Sequence, residues 1–265
     1  MKRIAIYCVT YHSYKELANY LQSLEAAQPN ASEYAVDVFI SDNTDKDFQE
    51  IATNLFPSLT VKVFPFLENL GYFGAIGKMM QQTDVLAYDF VVLSNVDVTV
   101  DKTFFKHLGS YPQQPEDGWL APAIISRADG CDLNPQATTA YPLSKLKILL
   151  FLYRHPLVNT LYERTAYRVK RNQQHPAGEV YAGHGSFIIL THEYFVRCGI
   201  INYPVFLYGE ELYLGEQCRR HQLKVQYVPS IKVSDIGAVS TGQMRRDFYY
   251  QCNAEAIQYI MNTYY

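Results

Sequence analysis

RIAIYCVTYHSYKELANYLQSLEA, residues 3–26, is the stretch on which the fold turns. Arg3 to Val9 is an apolar, β-branched run of a length that suits one buried strand. Polar Thr10-Tyr11-His12 closes it. Ser13 is a plausible N-cap, and Leu17, Tyr20, Leu21 and Leu24 then recur on one helical face up to Ala26. A buried strand running through a short polar turn into an amphipathic helix is the first half of a βαβ unit. The start MKRIAIYCVTYH is no signal peptide by this reading, because its apolar run is too short and Thr10 and His12 end it.

Working outward, the alternation continues. Val36 to Ile40 reads as a second strand and Asp45 to Leu55 as a second helix. Leu59 to Phe64 is a third strand, Phe73 to Gln82 a helix behind a Gly-bearing turn, and Phe90 to Leu93 a fourth strand. Such a pattern predicts an α/β fold with a mostly parallel, doubly wound sheet. Later segments are less regular. Trp119 to Ile125 and Val180 to Leu190 read as strands, with a long, partly amphipathic stretch from Tyr141 to Arg171 between them. A helix near Glu210, short strands Val225 to Val228 and Ile231 to Val233, and a helix after Ser240 complete the chain.

Bulk composition narrows the function classes. The 265 residues suit one large domain or two small ones, and 48% hydrophobic with 18% charged residues favours a sizeable core over disorder. A net charge of -3 gives no general attraction to nucleic acid. Five dispersed Cys (Cys8, Cys131, Cys198, Cys218, Cys252) without a CxxC pair argue against a zinc site or disulfide framework. No stretch reaches the ~20 apolar residues that span a bilayer, so a cytoplasmic location is the expectation.

Ligands of doubly wound sheets bind beyond the carboxyl ends of the strands. Four polar clusters stand there: Thr10-Tyr11-His12, Ser41-Asp42-Asn43, Glu68-Asn69-Leu70-Gly71-Tyr72-Phe73-Gly74 and Ser94-Asn95-Val96-Asp97. Singly, each reads as a turn former or helix cap; together they would line one crevice. The dinucleotide fingerprint and the P-loop are both missing. A nucleotide could still be held, with Asp42 accepting from base or ribose and Gly71 and Gly74 allowing close backbone approach. Asp97 is a carboxylate suited to a divalent cation that bridges phosphates.

In order and spacing these segments resemble the family 2 glycosyltransferases, particularly the branch of bacterial rhamnosyltransferases. Where the family has V-T-Y-N stands Val9-Thr10-Tyr11-His12, and in the place of its V-D-N-x-S stands Ser41-Asp42-Asn43-Thr44. Its N-x-G-[FY]-[AG]-x-[AG] is matched by Asn69-Leu70-Gly71-Tyr72-Phe73-Gly74-Ala75, and its L-N-P-D by Leu93-Ser94-Asn95-Val96-Asp97, one residue longer. Ala182-Gly183-His184-Gly185-Ser186-Phe187 resembles its Gly-rich strand ahead of the acceptor site. Phe206-Leu207-Tyr208-Gly209-Glu210-Glu211-Leu212-Tyr213-Leu214 resembles its F-x-Y-G-E-D-x-D-L.

The resemblance runs from about residue 4 to 240. It implies a GT-A fold in a single domain: a Rossmann-like nucleotide-sugar-binding half over 1–100, a smaller mixed acceptor-binding and catalytic half over 101–240, and a C-terminal helix over 241–265. It implies an inverting transfer from a UDP- or dTDP-sugar to a saccharide or lipid-linked saccharide, in cell-surface polysaccharide synthesis. Thr10, Tyr11, Asp42, Asn43, Asn69, Gly71, Phe73, Asn95 and Asp97 would bind the nucleotide sugar, and His184 and Tyr208 the acceptor. Mg²⁺ or Mn²⁺ would sit on Asp97 and Asp235. Inversion needs a carboxylate to take the acceptor proton, and a carboxylate with an ordinary pKa near ~4 can do so at neutral pH. Glu211, with Glu210 before it, stands at that position; the plainer reading is that both complement the dipole of the helix they open.

The chain departs from the pattern in places. Tyr213 replaces the second Asp of the acidic motif, Gln217 an Arg, and Asp235 a His. Asp235 reads equally as a cation ligand and as a strand-end turn residue. Between Tyr141 and Arg171, Leu146, Ile148, Leu149, Leu150, Phe151, Leu152, Leu157, Val158 and Leu161 alternate with Lys145, Lys147, Arg154, Arg164, Arg168, Lys170 and Arg171. That stretch, broken at Pro156, either packs on the core or touches the inner face of the cell membrane peripherally. Competing readings are an inactive nucleotide-sugar-binding homologue and a nucleotidyltransferase; the latter lacks its basic loop after strand one.

Overall fold

The computed structural model describes residues 1–27, 33–165, 175–237 and 246–265. A nine-stranded sheet forms its centre, in the order β3-β2-β1-β4-β8-β6-β9-β5, with β7 paired to β9. The first half is β1 (Lys2–Thr10), α1 (Tyr14–Ala27), β2 (Tyr34–Asp42), β3 (Thr60–Pro65), α2 (Tyr72–Met80) and β4 (Phe90–Asn95). Its four strands are all parallel. The second half is mixed: β5 (Val98–Val100), α3 (Phe104–Gly109), β6 (Asp117–Ser126), α4 (Leu143–Arg154), α5 (Pro156–Thr165), β7 (Gly178–Val180), β8 (Phe187–Thr191), α6 (His192–Cys198), α7 (Glu210–Arg220), β9 (Lys224–Asp235) and α8 (Arg246–Tyr264). Antiparallel β8 joins the halves, lying between β4 and β6.

Alternation along β1 builds two cores. Ala5 and Tyr7 face a cluster with Phe73, Ile76 and Met79 of α2, while Ile4, Ile6 and Cys8 face Leu17, Tyr20, Leu21 and Leu24 of α1. Helices therefore cover both faces, as the sequence pattern predicts, because each parallel strand buries both of its sides.

Three predicted elements differ. Asp45 to Leu55 is not an α-helix; only Thr53–Leu55 forms a single 3₁₀ turn. Residues 45–50 are exposed, and a short helix without a buried stripe gains too little packing to form. Val180 to Leu190 is not one strand: β7 and β8 are separated by the Gly183–Gly185 loop. Val225 to Val228 and Ile231 to Val233 are one strand, β9, whose register against β6 jumps between Pro122 and Ala123, a bulge in place of a break. Between α4 and α5 the chain breaks before Pro156 as expected, since Pro stands well at a helix start and poorly inside one. Arg168, Lys170, Arg171 and the first residues of the 241–265 segment lie outside the described residues.

Candidate active site

β1 and β2 end side by side, with Thr10 opposite Asp42, and Asn95 of β4 stands opposite Val9. The Asn43 amide donates to the Thr10 carbonyl at 2.9 Å. Asp42 is fully buried. Its Oδ1 accepts the Thr44 amide and its Oδ2 the Tyr14 hydroxyl, each at 2.9 Å. The carboxylate expected to accept from a base or ribose is therefore already engaged by Thr44 of its own loop and by Tyr14 at the start of α1. Asn43 is also buried; it accepts the Ser41 hydroxyl at 2.7 Å and donates to the Gly71 carbonyl at 3.2 Å. Tyr11, by contrast, is 36% exposed and packs edge-on against His12 with ring centroids 4.5 Å apart. His12 Nε2 lies 3.1 Å from Asp45 Oδ1, tying the loops after β1 and β2 together. That hydrogen bond holds the Asp45 carboxyl below the usual carboxylate range. The Thr10 hydroxyl is buried with no partner among the described residues.

Asn69 Oδ1 accepts the Gly71 amide at 3.1 Å. Gly71 is left-handed (φ 70), and a Cβ there would lie 2.0 Å from the Phe206 carbonyl oxygen. Only glycine lets the 69–71 turn meet the loop that leads to Glu210 and Glu211. Phe73 is not a ligand contact: it is 1% exposed, edge-on to Tyr203 and Tyr213 in the core. Its place follows from α2 presenting Phe73, Ile76 and Met80 inward.

Left-handed Tyr208 and Gly209 lead into α7. Glu210 is 7% exposed, and its Oε1 accepts the Tyr208 amide at 3.1 Å. Burial, and next the charge of Glu211, push the Glu210 carboxyl well above the ordinary carboxylate range. So placed, Glu210 braces the left-handed turn ahead of α7. Glu211 is half-buried, and its Oε1 accepts the Gly185 amide at 3.1 Å. A Cβ on Gly185 would lie 2.8 Å from that oxygen, so the glycine is what lets the carboxylate settle on the loop ahead of β8. Next to it, the Ser186 carbonyl accepts the Asn95 amide at 2.9 Å, which joins Glu211 to the end of β4. His184 contacts Ser186 Oγ through Nδ1 at 2.9 Å and donates its amide to Asn134 Oδ1 at 2.7 Å.

The departures from the acidic motif fall elsewhere. Tyr213 is 1% exposed. Its hydroxyl accepts from Gln217 at 3.1 Å and from the Asn202 amide at 3.3 Å. Tyr213 and Gln217, one helical turn apart, thus stand as a neutral hydrogen-bonded pair where the family pattern has two charges.

Asp97 and Asp235 are neighbours: Val98 pairs with Asp235, and the Ile236 amide donates to the Asp97 carbonyl at 3.0 Å. Each is 6% exposed, and Asp235 Oδ1 also accepts the Gly237 amide at 2.6 Å. Among the described residues no group of three or more His, Cys, Asp or Glu could hold a metal ion. The loops carrying Asp42, Asn69, Asp97 and Glu211 therefore converge, Asn43 reaching Gly71, Gly71 abutting Phe206, and Glu211 reaching Asn95 through Gly185 and Ser186. Sequence reading missed Tyr14 as the partner of Asp42 and the Gly185 amide as the partner of Glu211. The paired glycines of Ala182 to Phe187 were the available signal for the second; nothing marked the first.

The fold is the GT-A type found in glycosyltransferases. Solved structures with the same fold are GalNAc-T7 with UDP, GalNAc and Mn²⁺ (TM-score 0.63, 14% identity, 91% of this chain and 44% of that one) and S. aureus TarS 1-349 (0.59, 14%, 89% and 60%). This chain thus spans less than two thirds of either. No family model matches it. Its sequence is similar to the N-acetylglucosaminyl-diphospho-decaprenol L-rhamnosyltransferase of two Mycobacterium tuberculosis strains, CDC 1551 / Oshkosh and H37Rv, at 26% identity over 261 residues, 91% of this chain and 78% of each relative. Over nearly its whole length the chain is thus similar to a rhamnosyltransferase.

Proposed function

We propose that the chain is an inverting transferase that moves a sugar from a UDP- or dTDP-sugar to a hydroxyl of a lipid-linked saccharide, in cell-wall polysaccharide synthesis on the inner face of the cell membrane. The observation that carries this reading is the Glu211 carboxylate, oriented by the Gly185 amide at 3.1 Å beside the strand ends of the crevice. Glu211 takes the proton of the acceptor hydroxyl as that oxygen bonds to the anomeric carbon and the bond to the diphosphate breaks on the opposite face. Thr10, Tyr11, Asn69, Gly71 and Asn95 frame the donor side, with Asp42 and Asn43 fixing the loop beneath. His184 and Tyr208 border the acceptor side.

Asp97 and Asp235 suit Mg²⁺ or Mn²⁺, which are commonly held by one or two carboxylates with substrate phosphates supplying further oxygens. Such an ion, when bound, offsets charge on the departing diphosphate. The similarity to a relative named for an N-acetylglucosaminyl-diphospho-decaprenol substrate supports the lipid-linked acceptor. The rival reading is an inactive homologue, suggested by the altered acidic motif; Tyr213 is buried in the core on Gln217 and the Asn202 amide, which weakens it. The test is a panel of UDP- and dTDP-sugars scored by release of the nucleoside diphosphate with and without lipid-linked saccharide. Acceptor-dependent release with at least one donor is expected. Binding of UDP with no turnover of any donor would favour the inactive homologue.

A further inference from the structure

No described helix is long and apolar enough to cross a membrane, yet α4 and α5 expose an unusual set of side chains. Ile148 and Phe151 on α4 are 58% and 52% exposed, and Leu157 and Leu161 on α5 are 88% and 62% exposed. α4 is held to the body by buried Leu146 and Leu150, whose opposite face carries Ile148 and Phe151. Among the described residues, α5 contributes no side chain to either core cluster. Two polar bonds attach it to α8 and its approach: Asn159 donates to the Tyr250 hydroxyl at 3.2 Å, and Arg246 to the Thr160 hydroxyl at 2.9 Å. Those bonds turn residues 159 and 160 toward α8 and leave Leu157, Val158 and Leu161 outside. A helix fastened by its polar side, with its leucines in water, is inverted relative to a globular surface helix.

We infer that the α4–α5 pair is a docking face for an anionic lipid bilayer, with Ile148, Phe151, Leu157 and Leu161 entering the headgroup–acyl boundary. Charge decides the occupant. Residues 141–165 contain four basic residues (Lys145, Lys147, Arg154, Arg164) and one acidic residue, Glu163. A second copy docked on the same face would set these cations against each other, whereas anionic headgroups complement them. Lys145 lies over the Tyr141 ring, 3.2 Å from its centroid. Lys147 and Arg164 are exposed and flank the apolar side chains at one-turn spacing. The face is also joined to the acid pair: Tyr153 of α4 meets Tyr249 at 6.1 Å between ring centroids, and Tyr249 meets Tyr208 at 5.2 Å. Docking would thus present the acceptor side of the crevice to the membrane. For its purpose, though not its geometry, the inference rests on the proposed lipid-linked acceptor.

The experiment is flotation of the full chain with vesicles of equal parts phosphatidylglycerol and phosphatidylcholine, and with phosphatidylcholine alone. The wild type floats with the mixed vesicles and weakly with the neutral ones. Leu157→Ser combined with Leu161→Ser lowers the partition coefficient by roughly tenfold or more. Lys147→Gln combined with Arg164→Gln abolishes the preference for the anionic vesicles and its sensitivity to salt. Because all four positions are exposed, both variants keep the wild-type melting temperature. Vesicle-free diphosphate release with a detergent-dispersed lipid-linked saccharide is measured in parallel: failure there with every donor, with intact flotation, sinks the transferase reading and leaves the docking face standing. Equal flotation of wild type and variants, or none by the wild type, overturns the docking face. So does a wild-type dimer that the leucine variant dissolves.

Discussion

Replacing Glu211 by Gln keeps a carbonyl oxygen for the Gly185 amide, now 3.1 Å from Glu211 Oε1, and removes the group that takes the proton. The loop should hold its shape, so the effect falls on chemistry. A positioned general base contributes about 10²–10⁴ in rate, or about 3–5 kcal/mol of barrier. Glu211→Gln should lower kcat by that amount with little change in donor KM. Glu210→Gln is the companion, since the amide oxygen can still accept the Tyr208 amide. As Glu210 is held toward its neutral form by burial and by Glu211, its loss of charge should leave kcat at neutral pH within about threefold. A raised folded-state pKa gives stability that is present below the unfolded value and lost as pH rises through the folded one. Wild type should therefore lose melting temperature from mildly acidic to alkaline pH, and Glu210→Gln should lose less. Steady-state diphosphate release and thermal melts across that range are the assays. Equal crippling of both variants, or of Glu210→Gln alone, would refute this division of roles.

Gly71→Ala forces a Cβ to within 2.0 Å of the Phe206 carbonyl at a left-handed position; about 3 kcal/mol of stability should be lost in denaturant titration. Restoring the motif by Tyr213→Asp should lower stability by about 3 kcal/mol or more, because an unpaired carboxylate would be buried beside Phe73 and Tyr203. No gain in activity should accompany it, and a gain would show that Tyr213 had displaced a working acid. Chelation by EDTA should abolish turnover and Mn²⁺ should restore it, with Asp97→Asn and Asp235→Asn each raising the Mn²⁺ concentration needed; full activity in EDTA would exclude the cation.

The parallel half of the fold was readable because each buried strand announces itself as an apolar run and its helix as a 3.6-residue period, as in Arg3 to Ala26. Reading failed where local pattern and tertiary context part. Asp45 to Leu55 has helical composition but no surface to pack on, and β7 and β8 look continuous until Gly183 and Gly185 turn the chain. In the site, Asp42, Asn69, Asp97 and Glu211 were legible as strand-end or motif residues. Their partners were not: the bonds from Tyr14 to Asp42 and from Gly185 to Glu211 link residues far apart in sequence. Phe73 is implied as a donor contact only by the Asn69–Ala75 motif it sits in, and the first turn of α2 rotates it into the core.

A crystal structure of the chain with UDP and Mn²⁺ bears most directly on the crevice itself. The nucleotide should lie across the ends of β1, β2 and β4, with the diphosphate between Gly71 and Asn95, the ion on Asp97 and the Glu211 carboxylate facing the vacant sugar position. Nucleotide bound at any other surface, with the strand ends unchanged and Glu211 remote from the diphosphate, would contradict the account.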